Sequence, residues 1–202
     1  MASARFPPPG PDAAPPPGLA PATPVATALG WRPVGALQPG DRLLTVDGGA
    51  VPMLRLDRID LPIRLRAVRV PPWALGNRRG VCLGPGQGVV IHSPVAEELY
   101  ADPFAILPAE ALIGWRGILP LPHGRVVMVL PRFAAPQVIY AARELLVACP
   151  GASGGAVGAV QPLLEPVIFP PDQARHLARC LMAADLGQGL RASQAATGVV
   201  PS

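Results

Sequence analysis

Cysteine and histidine side chains are the groups of this sequence that could bind a metal ion or supply a nucleophile. His176 and Cys180 are four residues apart on a predicted helix, so both side chains would lie on one helix face. A closed zinc site needs four ligands, and the other candidates, Cys82, Cys149 and His123, are isolated in the sequence. An odd number of widely spaced cysteines is also not typical of a disulfide framework. The pattern therefore predicts reduced thiols, no metal site and no cofactor.

Ser153 is a second candidate nucleophile, because it lies among glycines and alanines in residues 151–156. This stretch resembles the nucleophile turn of trypsin-like serine proteases, where glycines let backbone N–H groups form an oxyanion hole. His92 is the candidate base, but its neighbours do not match those of a protease histidine, and Asp102 follows it too soon to be the acid. The favoured interpretation of residues 151–156 is a small-residue linker. A divergent trypsin-like serine hydrolase that uses Ser153 is the alternative.

Short apolar segments separated by turn residues predict a mostly β fold. Those with strand length and several β-branched residues are residues 31–37, 42–46, 51–59, 65–70, 88–92, 125–130 and 137–141. Pro39, Gly40 and Asp41 favour a tight turn, and residues 47–49 favour a hairpin, so we expect an antiparallel sheet. Residues 84–88 have the glycines of a phosphate-binding loop but lack the lysine and hydroxyl residue that follow them there, which indicates a turn.

Composition divides the chain into five segments. They are a disordered leader rich in proline and alanine (1–20), a β domain (21–151), a glycine and proline linker (152–171), a helix (172–186) and a disordered tail (187–202). One or two helical turns are also expected at residues 108–113. Asp172 is the expected N-cap and Gly187 the expected end of the C-terminal helix, whose apolar stripe would pack on the sheet or bind a protein partner. Trp31, Trp73 and Trp115 are predicted to fill the core.

Charge and hydropathy exclude several partner classes. The sequence has no lysine, so its 17 basic residues are all arginines, and they exceed the 13 acids by a net charge of +4. The arginines are not interleaved with aromatic residues along the chain, so no nucleic acid partner is expected. Proline, arginine or glycine interrupts every apolar run before the roughly 18 residues of a membrane span, and the first residues do not form a signal peptide. The expected location is the cytoplasm, or outside after export by a signal-peptide-independent route.

A family resemblance begins at residues 30–34 and continues through residues 37–49, which read LQPGDRLLTVDGG. This stretch is similar to the "L-x-P-G-D-x-V-x-T" turn and hairpin of bacterial Hint domains, the hedgehog/intein self-processing family. Residues 69–77 resemble the family's "P-x-x-I-P-A-G-A-L-G" segment, and residues 83–91 resemble its "L-S-P-x-H-R-V-L-I" strand. The resemblance covers roughly residues 18–151 in the order of the family. It implies a β horseshoe followed by the C-terminal helix.

The resemblance also implies self-cleavage chemistry, in which a first-residue cysteine attacks the preceding carbonyl and a later histidine protonates the departing nitrogen. On this sequence the nucleophile position falls on Gly18 and the histidine position on Gln87, with Gly84 at the preceding hydroxyl position. Glycine has no nucleophile, and an amide does not exchange a proton near pH 7. We therefore expect a catalytically degenerate member that acts as a structural or binding module. Residual autoprocessing through an unrecognised nucleophile such as Thr23 is the other possibility.

Overall fold

The computed structural model of the chain describes residues 14–151 and 168–196, with side chains in the last helix described as far as Gln188. The strands are β1 (Pro24–Thr27), β2 (Gly30–Pro33), β3 (Arg42–Thr45), β4 (Gly49–Pro52), β5 (Arg55–Leu61), β6 (Val68–Val70), β7 (Val81–Leu83), β8 (Gly88–His92), β9 (Phe104–Pro108), β10 (Leu119–Pro120), β11 (Val126–Arg132), β12 (Gln137–Ala141) and β13 (Leu145–Cys149). The α-helices are α1 (Pro94–Tyr100) and α2 (Pro171–Ala196), and three 3-10 turns lie at Val34–Ala36, Ala109–Leu112 and Trp115–Gly117. Of the one or two helical turns expected at residues 108–113, the structure has one, the second of these 3-10 turns.

The strands form antiparallel sheets, as the predicted hairpins require. The largest has eight strands in the order β2-β1-β3-β12-β13-β8-β9, with β4 paired to β3. A three-stranded sheet runs β10-β6-β7, and β5 pairs with β11 as a long two-stranded ribbon. The sheets enclose one large apolar core, whose fully buried members include Phe133, Leu43 and Ile139.

The two predicted turns form as the sequence indicates. Gly40 has a φ of +93°, and Asp41 Oδ2 accepts a hydrogen bond from the Gln38 N–H at 2.8 Å while it pairs with Arg32 at 3.1 Å. The β3–β4 hairpin turns at Gly49, whose φ of +62° suits a residue without a Cβ. Both turns therefore set the register of the strands that follow them.

Helix α1 is not among the expected elements, although its N-terminal signal is in the sequence. Ser93 caps it by accepting a hydrogen bond from the Val95 N–H at 3.1 Å, and Pro94 occupies the first turn. Ala101 ends the helix in the left-handed conformation, with a φ of 59°. The helix is too short to show a repeating apolar stripe, which is why periodicity does not reveal it.

Helix α2 is longer than the sequence predicts. It begins at Pro171 and continues to Ala196, so the expected end at Gly187 and the disordered tail from residue 187 are wrong as far as residue 196. A Cβ on Gly187 would meet no atom within 4 Å, and Gly187 does not take the positive φ of a C-terminal cap. Gly187 therefore does not end the helix and only lowers its stability at this position. Asp172 lies in the first turn and pairs with Arg175. The predicted apolar stripe is confirmed, because Ala174, Leu177, Ala178 and Leu181 are buried.

Asp185 connects α2 to the β domain. Its Oδ2 accepts hydrogen bonds from Trp115 Nε1 at 2.9 Å and Arg116 Nε at 2.7 Å, and its Oδ1 accepts one from Arg116 Nη2 at 3.2 Å. The hydrogen bond from Arg116 is the main reason that the pKa of Asp185 lies below its ordinary value. The ionised carboxylate therefore helps to hold the helix on the sheet.

We expect Asp185→Asn to lower the free energy of unfolding by about 1 kcal/mol above about pH 5, since a half-exposed charged hydrogen bond contributes only modestly. A depressed pKa contributes stability above the unfolded-state value and loses it as the pH falls through the folded-state value. The gap between variant and wild type should therefore close below about pH 4. Urea unfolding at several pH values measures it. Glu98→Gln, on the exposed side of α1, is the control, and an equal gap for both variants would contradict the prediction.

The three tryptophans do not share one environment. Trp115 is buried as predicted, but Trp31 is 39% exposed and Trp73 is 68% exposed, so the prediction of core positions is wrong for these two.

In the described residues no helix is both long enough and apolar enough to cross a membrane.

Candidate functional site

Residues 14–20 belong to the folded domain, which corrects the expectation that residues 1–20 are all a disordered leader. Leu19 is fully buried and bridges β7 and β11, with its N–H and C=O bonded to the backbone of Val129 at 2.9 and 2.8 Å. The Ala20 N–H donates to the Cys82 carbonyl at 2.9 Å. Composition misses this order because the partners of the segment lie far along the chain. Residues 1–13 lie outside the described residues.

Gly18 stands at the start of this paired segment and contacts Gln87. The Gly18 N–H donates a buried hydrogen bond to Gln87 Oε1 at 3.0 Å, and the Gly18 carbonyl accepts one from the Gly84 N–H at 2.8 Å. The φ of Gly18 is +139°, and a Cβ at this position would lie 2.7 Å from the Cβ of Met128. The site therefore has no room for a side chain at residue 18 unless Met128 moves.

Gln87 is fully buried, and its amide group is held from both ends. Besides accepting from Gly18, it donates from Nε2 to the carbonyl oxygens of Gly88 at 3.0 Å and Ala148 at 2.8 Å. An amide offers an acceptor and two donors at once, which is the combination this position uses. The side chain thereby links the first residues of the domain to β8 and β13.

The turn at residues 84–88 receives the end of the leader. The Gly86 N–H donates to the Pro16 carbonyl at 3.1 Å. A Cβ on Gly84 would lie 2.6 Å from the Pro16 carbonyl oxygen, and a Cβ on Gly86 would collide with the carbonyl oxygen of Pro15. The glycines of this turn therefore serve close backbone approach, in agreement with the prediction of a turn.

Thr23, His92 and Asp102 do not join this contact. Thr23 is buried in the turn before β1, where its N–H donates to the Ala20 carbonyl at 2.9 Å. His92 is exposed at the end of β8 and its ring lies 5.0 Å from that of Phe104. Asp102 Oδ1 accepts from the Phe104 N–H at 2.8 Å and thus caps a turn. Ser153 lies outside the described residues.

The thiols of the described residues are free. Burial raises the pKa of Cys82 to about 11 and that of Cys149 to about 12, so neither is a thiolate near neutral pH. Cys180 Sγ lies 3.8 Å from His176 Nε2 on the outer face of α2. Across residues 14–151 and 168–196, no three potential ligands are grouped closely enough to hold a metal ion.

The family assignment follows from a sequence comparison. The family profile described as "Hint domain" matches residues 17–146, about two thirds of the chain. This chain belongs to the Hint domain family. The match begins one residue before Gly18 and ends within β13. The mostly β, Hint-like fold with a C-terminal helix is thereby confirmed.

Solved structures similar to this Hint domain are inteins. The gp41-1 intein is 12% identical with a TM-score of 0.42, and the similarity covers 65% of this chain and 97% of that one. An AceL NrdHF class 3 split intein is 8% identical with a TM-score of 0.43, covering 67% and 98%. The MchDnaB-1 intein is 15% identical with a TM-score of 0.39, covering 64% and 98%. No curated protein matches the chain.

Two features of the Hint domain site are not apparent from the sequence. Met128 closes the space beside Gly18, and the carbonyls of Gly88 and Ala148 anchor Gln87. A methionine in an apolar strand and two backbone carbonyls give no signal of their own. What could have indicated the anchoring is the presence of an uncharged, multiply hydrogen-bonding side chain in a segment that is otherwise glycine and valine.

Proposed function

We propose that this Hint domain does not cleave its own backbone and acts as a structural or binding module. The observation that carries the proposal is the buried hydrogen bond from the Gly18 N–H to Gln87 Oε1. Around it lie the atoms that a processing reaction would use, namely the Pro17 carbonyl carbon and the Gly18 nitrogen. The proposal depends on two missing groups, a nucleophilic atom at residue 18 and an acidic proton at residue 87.

The first requirement of processing is a sulfur or oxygen on the side chain that follows the bond to be broken. That atom would attack the Pro17 carbonyl carbon, form an ester or thioester, and break the bond to the Gly18 nitrogen. Gly18 carries only hydrogen on its Cα. Its conformation and the nearby Met128 also leave no space in which a side chain could be placed without rearrangement. The acyl shift therefore has no nucleophile.

The second requirement is a proton for the departing nitrogen. Gln87 Oε1 accepts a hydrogen bond from that nitrogen, and both described bonds of Nε2 point to carbonyl oxygens of β8 and β13. An amide has no proton to transfer near pH 7. The contact therefore pairs the N–H of the intact peptide bond and supplies no proton that would let the Gly18 nitrogen depart as an amine.

Retention of the leader is the structural role that this arrangement supports. Residues 15–17 lie against the glycines of the 84–88 turn, and Leu19 is paired on both edges with β7 and β11. Such pairing fixes the N-terminal segment to two strands of the domain and to the turn between β7 and β8. We infer that the segment stays attached and ordered because the site that would release it is filled by hydrogen bonds.

The test is the intact mass of the purified 202-residue chain. After long incubation with dithiothreitol or hydroxylamine near neutral pH, we expect the mass to stay at 20.9 kDa. A urea-unfolded sample treated in the same way controls for chemical cleavage that does not need the fold. Loss of residues 1–17 from the folded sample only would contradict the proposal. Loss of residues 1–22 that Thr23→Ala abolishes would instead indicate residual autoprocessing, in which the Thr23 hydroxyl attacks the Ala22 carbonyl and breaks the bond to the Thr23 nitrogen. Fluorophosphonate labelling of Ser153 would indicate a serine hydrolase.

A further inference from the structure

A basic pocket lies on the Hint domain away from the Gly18–Gln87 contact. Its volume is about 440 Å³, and its lining residues are Pro24, Trp31, Arg78, Arg79, Ala142 and Arg143. None of these residues takes part in the hydrogen bonds of Gly18 or Gln87. We call this the arginine pocket.

Three arginines give the pocket a positive charge. Arg78, Arg79 and Arg143 are exposed, and none of them forms an ion pair with a carboxylate of the described residues. The adjacent acid in sequence, Glu144, packs its side chain over Gly76. Guanidinium groups offer paired N–H donors that match two oxygens of a phosphate or carboxylate.

Two exposed indole rings stand beside these charges. The Arg143 guanidinium carbon lies 5.5 Å from the ring centroid of Trp31, and that of Arg78 lies 5.8 Å from the centroid of Trp73. Both tryptophans expose large apolar surface that the core could otherwise bury. Exposed aromatic rings beside arginines are the combination on which nucleic acid bases stack while their phosphates are neutralised.

The backbone of the pocket is held in an unusual conformation. Trp73, Ala142 and Arg143 have φ values of 71°, 46° and 94°, and each left-handed residue with a side chain costs about 1–3 kcal/mol. The Arg78 N–H donates to the Ala142 carbonyl at 3.1 Å, which joins the two loops. The left-handed backbone of these residues sets the directions of their side chains, which a relaxed turn would place elsewhere.

Asn77 supports this strained backbone from below. It is fully buried, accepts from the Leu75 N–H at 3.0 Å, and donates to the carbonyls of Pro71 and Arg79 at 2.8 Å each. It also forms a bridge with Arg143 of the β12–β13 turn. These hydrogen bonds therefore hold in place the loops that carry the arginines. Arginines on an ordinary solvated surface do not need such support.

We propose that the arginine pocket binds a nucleotide unit, either free or within a single strand of nucleic acid. The guanidinium groups would bind the phosphate oxygens, and Trp31 would stack on the base. The sequence gives no expectation of a nucleic acid partner, because the residues that form the pocket come from β1, β2, the 71–79 loop and the β12–β13 turn. An acidic peptide would satisfy the arginines but would leave the indole ring of Trp31 without a stacking partner.

The test uses the whole chain and three probes, namely inorganic phosphate, AMP, and a fluorescein-labelled oligothymidylate of about ten nucleotides. Calorimetry for the small probes and fluorescence anisotropy for the oligomer measure the dissociation constants. We expect saturable binding of AMP, the oligomer or both, weaker binding of phosphate, and weakening as salt rises. Binding of AMP alone identifies a free nucleotide as the ligand, and binding of the oligomer alone identifies a single strand.

Variants separate the pocket from general surface charge. Arg143→Gln and Trp31→Ala should each weaken binding about tenfold, while Arg66→Gln, an exposed arginine outside the pocket, should leave it unchanged. Thermal unfolding of each variant establishes that the fold is retained. The proposal is overturned if no nucleotide probe binds, if Arg66→Gln and Arg143→Gln have equal effects, or if an acidic peptide displaces the oligomer as well as AMP does.

Discussion

Gln87→Glu should lower the free energy of unfolding by about 3–5 kcal/mol at pH 7 and by much less at pH 4. The substitution keeps the shape and Oε1 but replaces the Nε2 donor group with a second oxygen. An ionised carboxylate would face the carbonyl oxygens of Gly88 and Ala148, which now accept from Nε2 at 3.0 and 2.8 Å. Its only described donor partner would be the Gly18 N–H.

The sign of the pH dependence follows from burial. Gln87 is fully buried, so a glutamate there would have a folded-state pKa well above its unfolded value near 4.3. A raised carboxyl pKa means that the penalty is absent below the unfolded value and grows as the pH rises. Once protonated, the side chain regains one O–H donor for one of the two carbonyls.

Gln87→Met is the matched control for this prediction. It retains a long side chain, loses all three hydrogen bonds and has no group that titrates, so its loss of about 2–4 kcal/mol should not depend on pH. Urea unfolding of both variants and the wild type at about pH 4 and pH 7 gives the differences. If the two variants lose the same amount at both pH values, Gln87 is not the donor that this structure describes.

Local sequence signals predict the hairpins but not the strands that depend on distant partners. Pro39, Gly40 and Asp41 form the expected turn, because the φ of Gly40 and the carboxylate of Asp41 act within a few residues. Strand β7 is only three residues long, and β13 contains a single β-branched residue, Val147. Their pairing with β6, β8 and β12 decides their conformation, so a short window of sequence cannot reveal them.

The leader and the arginine pocket show the same dependence on long-range contacts. Proline and alanine predict disorder before residue 20, yet Leu19 is buried because β7 and β11 both pair with it. Large aromatic residues predict core positions for Trp31 and Trp73, yet both are exposed, because Trp31 lies on the edge strand β2 and Trp73 in a loop with left-handed backbone. In contrast, Gly18 and Gln87 could be named from a family pattern, because each motif lies in one short stretch. Their hydrogen bond is visible only in the fold.

Gly18→Ala is expected to destabilise the domain by about 2–5 kcal/mol, which combines the cost of a left-handed backbone with that of overpacking. The new Cβ would lie 2.7 Å from the Met128 Cβ, and Met128 is itself fully buried. Gly40→Ala is the matched control. Gly40 also has a positive φ, of +93°, but a Cβ there would meet nothing within 4 Å, so only the backbone cost of about 1–2 kcal/mol applies.

A double-mutant cycle isolates the steric part of this cost. If the Cβ of Met128 obstructs a side chain at residue 18, Met128→Gly, which removes that Cβ, should recover about 1–2 kcal/mol in the Gly18→Ala background while destabilising the wild type. Additive effects would show that the space beside Gly18 is not closed by Met128.

The same geometry bears on whether processing could be restored. Gly18→Cys introduces the Cβ that collides with Met128, so the new thiol would arrive on a displaced backbone, away from the N–H contact with Gln87. We therefore expect Gly18→Cys with Gln87→His to leave the chain uncleaved in thiol by intact mass. A nucleophile and an acid are not sufficient when Met128 occupies the space that the nucleophilic side chain needs. Cleavage of the variant that carries both substitutions would show that Met128 moves to admit the cysteine side chain.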